Sequence, residues 1–352
     1  MPPKDSNPIN RRITLKEIAA LAGVSVSTVS LALSGKGAQL RISTAVEERI
    51  REIAREHDYA PNLLVHSLQR GRTHILGFYS SFRNREPNDI YMDRLTSATE
   101  RAAGHRHYDV LIHCDFSRPS ADLYQALNGG RSDGLLFFGP DDNDPLIPSL
   151  RNSRLPTVML NHADSSGKLS SVTDDMPDGM RQVAEALVQQ GHRRIAAVTG
   201  PPWSDAPQRI AALQRELAAH GVSIPDTAII QVPQDNLEEA AEVLSALLQT
   251  EEPPTALFCW HDRLGYQILE ACDRLQIAVP EQLSLISYDG LHWPSTSRHV
   301  LASVEVDLDV LAKAAVQLLD DLISGTVSAP VLQTYPVTLS FGTTLAPAPD
   351  AL

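Results

Sequence analysis

Thr14-Leu15-Lys16-Glu17-Ile18-Ala19-Ala20-Leu21-Ala22-Gly23-Val24-Ser25-Val26-Ser27-Thr28-Val29-Ser30 holds two helix starts and one helix stop. Thr14 with Glu17 three residues on is a capping box, in which each side chain satisfies a backbone amide that the helix leaves orphaned. Leu15, Ile18, Ala19, Leu21 and Ala22 then recur at helical spacing. Gly23 tolerates the positive φ that ends a helix. Ser25 caps a second helix, expected over Val26 to Leu33. Ala19 is small where two helices must approach closely, Gly23 occupies the turn, and Val24 and Val29 supply a shared core. That is helix-turn-helix spacing, whose second helix is shaped for a DNA major groove. Thr44-Ala45-Val46-Glu47 reads as another capping box. It opens a third helix with Val46, Ile50, Ile53 and Ala54 on one face and Arg49, Arg51 and Arg55 elsewhere. A three-helix bundle this small also serves as a plain protein-binding module, so the motif alone leaves both uses open.

Tyr59-Ala60-Pro61-Asn62 breaks the third helix, and Leu63-Leu64-Val65-His66-Ser67-Leu68-Gln69-Arg70-Gly71-Arg72-Thr73 follows. This Leu-rich stretch is too short to stand as a helix in water. It is either an ordinary linker or a hinge that folds only on DNA, with Leu68 as a minor-groove wedge. Charge separates head from body. Residues 1–73 hold 11 Lys and Arg against 7 Asp and Glu, a net of +4, whereas the remainder carries −17 of the overall −13. One module is suited to an anionic partner and the other is not.

The chain of 352 residues suggests two or three domains. Its 43% hydrophobic and 21% charged residues exclude disordered, collagen-like and disulfide-scaffold classes. No apolar run approaches the ~20 residues of a spanning helix, so no membrane partner is expected. The first twelve residues are polar with no apolar h-region, which points to the cytoplasm. Cys114, Cys259 and Cys272 match no metal spacing, and the expectation is reduced, buried thiols with no metal site and no cofactor.

From His74 onward apolar runs alternate with amphipathic stretches. Strands are expected at 74–80, 108–114, 135–139, 155–160, 195–200, 228–232, 256–260 and 283–288. Helices are expected at 90–106, 179–190, 207–220, 237–249 and 263–275. Such alternation means parallel sheets covered by helices. There is too much for one sheet, so the expected fold is a small all-α helix-turn-helix headpiece plus an α/β core of two doubly wound lobes. The cleft would lie at the carboxyl ends of the strands. The expected domains are 1–60 headpiece, 61–73 hinge, 74–345 core and 346–352 tail.

Ile13-Thr14-Leu15-Lys16-Glu17-Ile18-Ala19, Ala22-Gly23-Val24-Ser25, Thr28-Val29-Ser30 and Tyr59-Ala60-Pro61-Asn62 resemble the headpiece of lactose-repressor-type (LacI/GalR) transcription factors. Ser67-Leu68-Gln69-Arg70-Gly71-Arg72-Thr73 resembles their hinge. The resemblance continues in Gly191-His192-Arg193-Arg194-Ile195-Ala196, in Pro254-Thr255-Ala256-Leu257-Phe258-Cys259 with His261-Asp262, and most strongly from Val279 to Gly290. It implies a core similar to periplasmic sugar-binding proteins, a small effector in the cleft, and a transcriptional regulator, expected to act as a repressor, that binds duplex DNA. A single headpiece has a small footprint, so a homodimer on a near-palindromic operator is expected. Thr343 to Leu352 shows no heptads, so a coiled-coil tetramerisation tail is not expected.

A polyhydroxylated ligand needs carboxylate, amide or guanidinium groups at strand ends and an aromatic face. Asp289 closes its strand, and by resemblance it matches the family's effector-binding acid. Arg209 opens the helix after Pro201-Pro202-Trp203 and matches an arginine used on the ligand. Asn161 follows a strand where the family places a polar contact, and Phe82 offers an aromatic face. The family usually has Asn-Asp where this chain has His261-Asp262, preceded by Trp260. His261 either bonds a ligand, responds to pH or is simply packed. Val306 and Ala212 also depart, which leaves the ligand open beyond a simple hexose.

On the DNA side Val26, Ser27, Thr28 and Ser30 lie at the start of the second helix. By resemblance, several family members carry an Arg where Leu31 stands, so a possible guanine contact is lost; Val26 and Leu31 instead press on thymine methyls, or Leu31 is simply packed in the headpiece. Thr14, Ser25, Ser30 and Asn62 are placed for phosphate. No G-x-G-x-x-G, Walker A, G-x-S-x-G or H-E-x-x-H motif is present, so no enzyme is expected. The rival readings are a soluble small-molecule-binding protein and a sugar-modifying enzyme. Neither gives the basic head a task.

Overall fold

A computed structural model describes residues 13–35, 42–60, 67, 71–81, 89–113, 118–139, 144–200, 204–232 and 237–349. The chain divides into two units, Met1–Arg72 and Thr73–Leu352.

In the first unit α1 (Leu15–Ala22) and α2 (Val26–Leu33) meet at 103°. Both halves of the capping box at Thr14 and Glu17 are made, and Gly23 takes φ 66°. α3 (Thr44–Glu56) closes the bundle. Ile18, Ala19, Ala22, Val29, Ala32, Ile50 and Ala54 form the shared core. The capping box expected at Thr44 is not what starts α3. Ser43 is the N-cap, accepting from Val46 N at 3.4 Å. That register places Glu47 one position too late for a box, and it pairs instead with Arg51 a turn further on.

The second unit holds two six-stranded sheets. The first lobe contains β1 (Ile75–Ser80), β2 (Asp109–Ile112), β3 (Gly134–Phe138), β4 (Thr157–Leu160) and β5 (Ser170–Asp174). The second contains β6 (Ile195–Thr199), β7 (Ile229–Gln231), β8 (Ala256–Cys259), β9 (Ser284–Asp289) and β10 (Ala302–Glu305). The chain then returns, adding β11 (Leu332–Tyr335) to the edge of the first sheet and β12 (Thr338–Ser340) to the edge of the second. Read from the other edge, the orders are β2-β1-β3-β4-β5-β11 and β7-β6-β8-β9-β10-β12. The lobes therefore share one doubly wound topology, with only β12 antiparallel to its neighbour. β3, β4 and β8 are buried at every residue, as parallel strands covered on both faces must be, whereas edge strands β2, β7 and β11 are partly exposed.

The helices are α4 (Ile90–Gly104), α5 (Ser120–Leu127), α6 (Ile147–Arg151), α7 (Met176–Gln189), α8 (Ala206–Ala219), α9 (Leu237–Leu248), α10 (Asp262–Leu275) and α11 (Leu308–Ser324). α11 follows the last parallel strand of the second lobe yet packs on the first. A Cβ at Gly134 of β3 would lie 2.7 Å from Leu319 Cδ1. The chain thus passes between lobes three times, at 174–175, 306–307 and 336–337. The core also extends past the expected limit at 345. Ala346 O accepts from His192 and Ser284, Ala348 N donates to Gln190 O, and Ala348 is buried. Among the described residues no single helix is long and apolar enough to cross a membrane.

Candidate DNA-binding and effector-binding sites

On α2, Val29 and Ala32 face the bundle core while Val26, Ser27 and Ser30 are exposed. Leu31 and Thr28 are half-buried, and Leu31 does not belong to the apolar cluster. Residues 26 and 30, like 27 and 31, are four apart, so they share one outward face. The hydroxyls nearest the helix starts already carry local bonds. Ser25 Oγ accepts from Thr28 N at 3.1 Å and lies 2.8 Å from Thr28 Oγ1, and Thr14 Oγ1 donates to Glu17. Asn62 and Leu68 lie outside the described residues.

In the core, Arg209 stands one turn into α8 and is 5% exposed. Its Nη1 donates to Trp260 O at 2.9 Å and to Asp289 Oδ1 at 3.2 Å, and its Nη2 pairs with Asp205 Oδ2 at 2.8 Å. The guanidinium lies 4.0 Å over the Tyr288 ring. Tyr288 OH donates to Asp174, the last residue of β5 in the other lobe. Trp260 Nε1 donates to Asp205 Oδ1 at 2.8 Å. Asp205 therefore clamps guanidinium and indole together. The indole lies flat on Gly200, where any Cβ would come within 2.0 Å of the ring. Asp289 has φ 112°, a strained position for a residue with a side chain, and the bend turns its carboxylate onto Arg209. Gly290 follows at φ 70°, where a Cβ would meet Glu305 Cα at 2.6 Å.

Burial pushes the Asp289 carboxyl well above the usual carboxylate range against the pull of Arg209, and Asp174 is raised for the same reason. Burial drives the Tyr91 phenol of α4 up, and the Asp289 and Asp174 carboxylates add to it. Tyr91 thereby brings the first lobe to the same cluster. His261 caps α10, Nδ1 accepting from Leu264 N at 3.0 Å, and its ring packs 4.3 Å from that of Trp260. Burial lowers it to about 4, so it stays neutral and keeps its capping lone pair. Its neighbour Asp262 accepts from Ser287, Ser303 and Leu291 N, and burial lifts it to about 7.

The structure thus gathers Arg209, Asp289 and Trp260 into one hydrogen-bonded cluster, with His261 stacked beside it. Asn161 directly follows β4 at φ 64°, its backbone N–H donating to Val172 O at 3.0 Å, and no bond joins it to that cluster. Phe82 lies outside the described residues. The aromatic surfaces in the cluster come from Trp260, Tyr288 and Tyr91. Sequence reading missed Asp174, Asp205, Tyr91 and Tyr288. Asp205 was within reach of it, because an acid four residues before Arg209 on a helix is a pairing signal.

The family model for "Bacterial regulatory proteins, lacI family" matches residues 14–62, and that for "Periplasmic binding protein-like domain" matches residues 184–345. The chain belongs to the lacI family of bacterial regulatory proteins. This lacI-family regulator is 27% identical to the ribose operon repressor of Escherichia coli (strain K12) over 326 residues, 91% of this chain and 94% of that protein. It is 26% identical to a probable HTH-type transcriptional repressor, ExuR, of Bacillus subtilis (strain 168), over 89% of this chain and 92% of that one. Its fold matches the lac repressor dimer bound to operator and an anti-inducer, with a TM-score of 0.81 and 22% identity over 96% of this chain and all of the other. The regulator is accordingly a DNA-binding transcriptional repressor with a ligand-modulated core.

Proposed function

We propose that this lacI-family regulator acts in the cytoplasm as a homodimer on a near-palindromic operator and does no catalysis. In this reading Val26, Ser27 and Leu31 read base edges, while Thr14, Ser25, Thr28, Ser30 and Asn62 serve the phosphate backbone. Leu68 wedges the minor groove at the operator centre. The effector is a small polyhydroxylated molecule held by Arg209 and Asp289, with Trp260, His261, Asn161 and Phe82 around it. The domains divide as 1–60 headpiece, 61–73 hinge and an effector core from 74. The observation that carries the effector assignment is the buried Arg209–Asp289 pair at a strand end, supported by strain at Asp289 that packing alone does not call for. Effector preference for one lobe arrangement alters headpiece spacing and hinge order, and the coupling is reciprocal.

Selection of random duplex DNA with purified full-length protein at moderate salt tests the regulator half. Recovery of one palindrome is the expected outcome. If nothing is recovered, with or without a pooled metabolite extract, the headpiece assignment falls.

A further inference from the structure

The cluster around Arg209 is unbalanced in charge. Three carboxylates surround the one guanidinium: Asp205 and Asp289 pair with it, and Asp174 lies close enough to act on it electrostatically. His261 is neutral, and Asp262 and Arg263 beside it, which also act on members of the cluster, offset one another in charge. Among the described residues the cluster therefore carries a net −2 when all three acids are ionised. Buried charge without a counter-charge is costly, and a protein meets that cost by taking up protons or by binding a cation. Burial holds Asp174 and Asp289 above their usual range, which is the proton route in the ligand-free protein.

A second observation points to a ligand oxygen. Arg209 is 95% buried and its Nε has no hydrogen-bond partner, although Nη1 and Nη2 are engaged. An orphaned buried donor of this kind asks for an acceptor. The Asp289 carboxylate uses only Oδ1 on Arg209, leaving Oδ2 to accept. A metal ion does not fit, since no group of three or more metal-ligating side chains exists among the described residues. The carboxylates are already turned onto Arg209, Trp260 and Tyr288.

We infer that the effector cleft selects a polyhydroxylated molecule carrying a protonated amino group, of the amino-sugar or amino-polyol class, and rejects its carboxylate counterparts. The inference rests on the effector reading of this cleft. A hydroxyl or ring oxygen of the ligand meets Arg209 Nε. Its ammonium lies among Asp174, Asp205 and Asp289 with the Tyr91 and Trp260 rings as walls, an arrangement that favours cations. A carboxylate or phosphate would add negative charge where the acids already have to take up protons to offset their own.

Isothermal titration of the full-length protein with D-glucosamine, D-galactosamine, D-mannosamine and D-glucamine, each beside its neutral parent and the corresponding uronate or aldonate, tests this. At least one amine should bind about tenfold or more tighter than both counterparts, and Asp289→Asn and Asp174→Asn should each reduce that preference. Preference for a neutral or acidic member, equal preference in the variants, or no amine binding below about 10 mM overturns the inference. The same preparation is assayed on its selected duplex. Duplex binding together with a preferred acid or neutral ligand removes only the amine assignment, whereas loss of both duplex and ligand binding removes the regulator reading itself.

Discussion

The phenolic hydroxyl of Tyr288, in the second-lobe strand that ends at Asp289, donates to the carboxylate of Asp174, the last residue of a strand in the first. The same ring carries Arg209 on its face, so one side chain touches both lobes and the Arg209 cluster. Replacing Tyr288 with Phe keeps the stack and removes the donor. Asp174, 7% exposed, is then left without that bond. The expected cost is about 1–3 kcal/mol. Calorimetry on the full chain should show a melting temperature lower by roughly 2–10 °C. An unchanged melting temperature would mean that this bond contributes nothing to joining the lobes.

Gly200 tests the clamp from the other side. Alanine there places a Cβ 2.0 Å from the Trp260 ring, so the indole must leave its seat and its bond to Asp205. Gly200→Ala should shift tryptophan fluorescence and remove the effector's influence on operator binding. The headpiece should still bind duplex, since the two units are separately built. Retained effector response with an unmoved spectrum would refute the clamp.

His261 and Asp262 respond to pH in opposite senses. His261 titrates at about 4 in the fold against a usual value near 6.5, so the unfolded chain binds more protons across that interval. Stability from this residue is complete above about 6.5 and declines as pH falls towards about 4. Asp262 titrates at about 7 against an ordinary value near 3.8, so the folded chain binds the extra proton and stability declines as pH rises from about 4 to about 7. His261→Asn keeps a cap acceptor without the titration. The wild-type-minus-variant stability difference should therefore shrink on acidification below about 6.5. A pH-independent difference would remove His261 as the source.

In the headpiece, Leu31→Arg on the outward face of the second helix supplies a bidentate guanine reader. It should change the selected operator at one position per half-site, with about 1–3 kcal/mol of discrimination there. Ser25→Ala should instead cost about 0.5–2 kcal/mol of headpiece stability through the lost cap and weaken all duplexes alike. A specificity change on Ser25→Ala would show that it reads bases.

The helix-turn-helix was legible because its signals are local: the Thr14 capping box, the Gly23 turn and the Val29 core position all act within a few residues. Central strands such as Leu135 to Phe138 were legible because parallel strands buried on both faces are continuous apolar runs. β5 was not, since Ser170-Ser171-Val172-Thr173-Asp174 is mostly polar and becomes a buried strand only between β4 and β11. Its terminal Asp174 went unread with it. The Thr44 box misled by one residue because Ser43 is an equally good cap and the apolar face is the same for either start. Arg209 and Asp289 came from resemblance, but that they pair, share Asp205 with Trp260 and leave Nε idle depends on contacts far apart in the chain. The twofold repetition of lobe topology leaves no repeat in the residues, because a shared strand order constrains burial pattern and not identity.

The three passages between lobes also fix an order of events during synthesis. The first sheet ends in β11, residues 332–335, and α11 covers the same lobe, yet β1 to β5 are complete by residue 174. At translation speeds of about 5–20 residues per second, the unfinished lobe waits on the order of ten seconds or more for its last strand. Over that interval the edge of β5 and the sheet face awaiting α11 are uncovered in the nascent chain. This repressor's first lobe thus stays an unfinished sheet until the C-terminal segment leaves the ribosome.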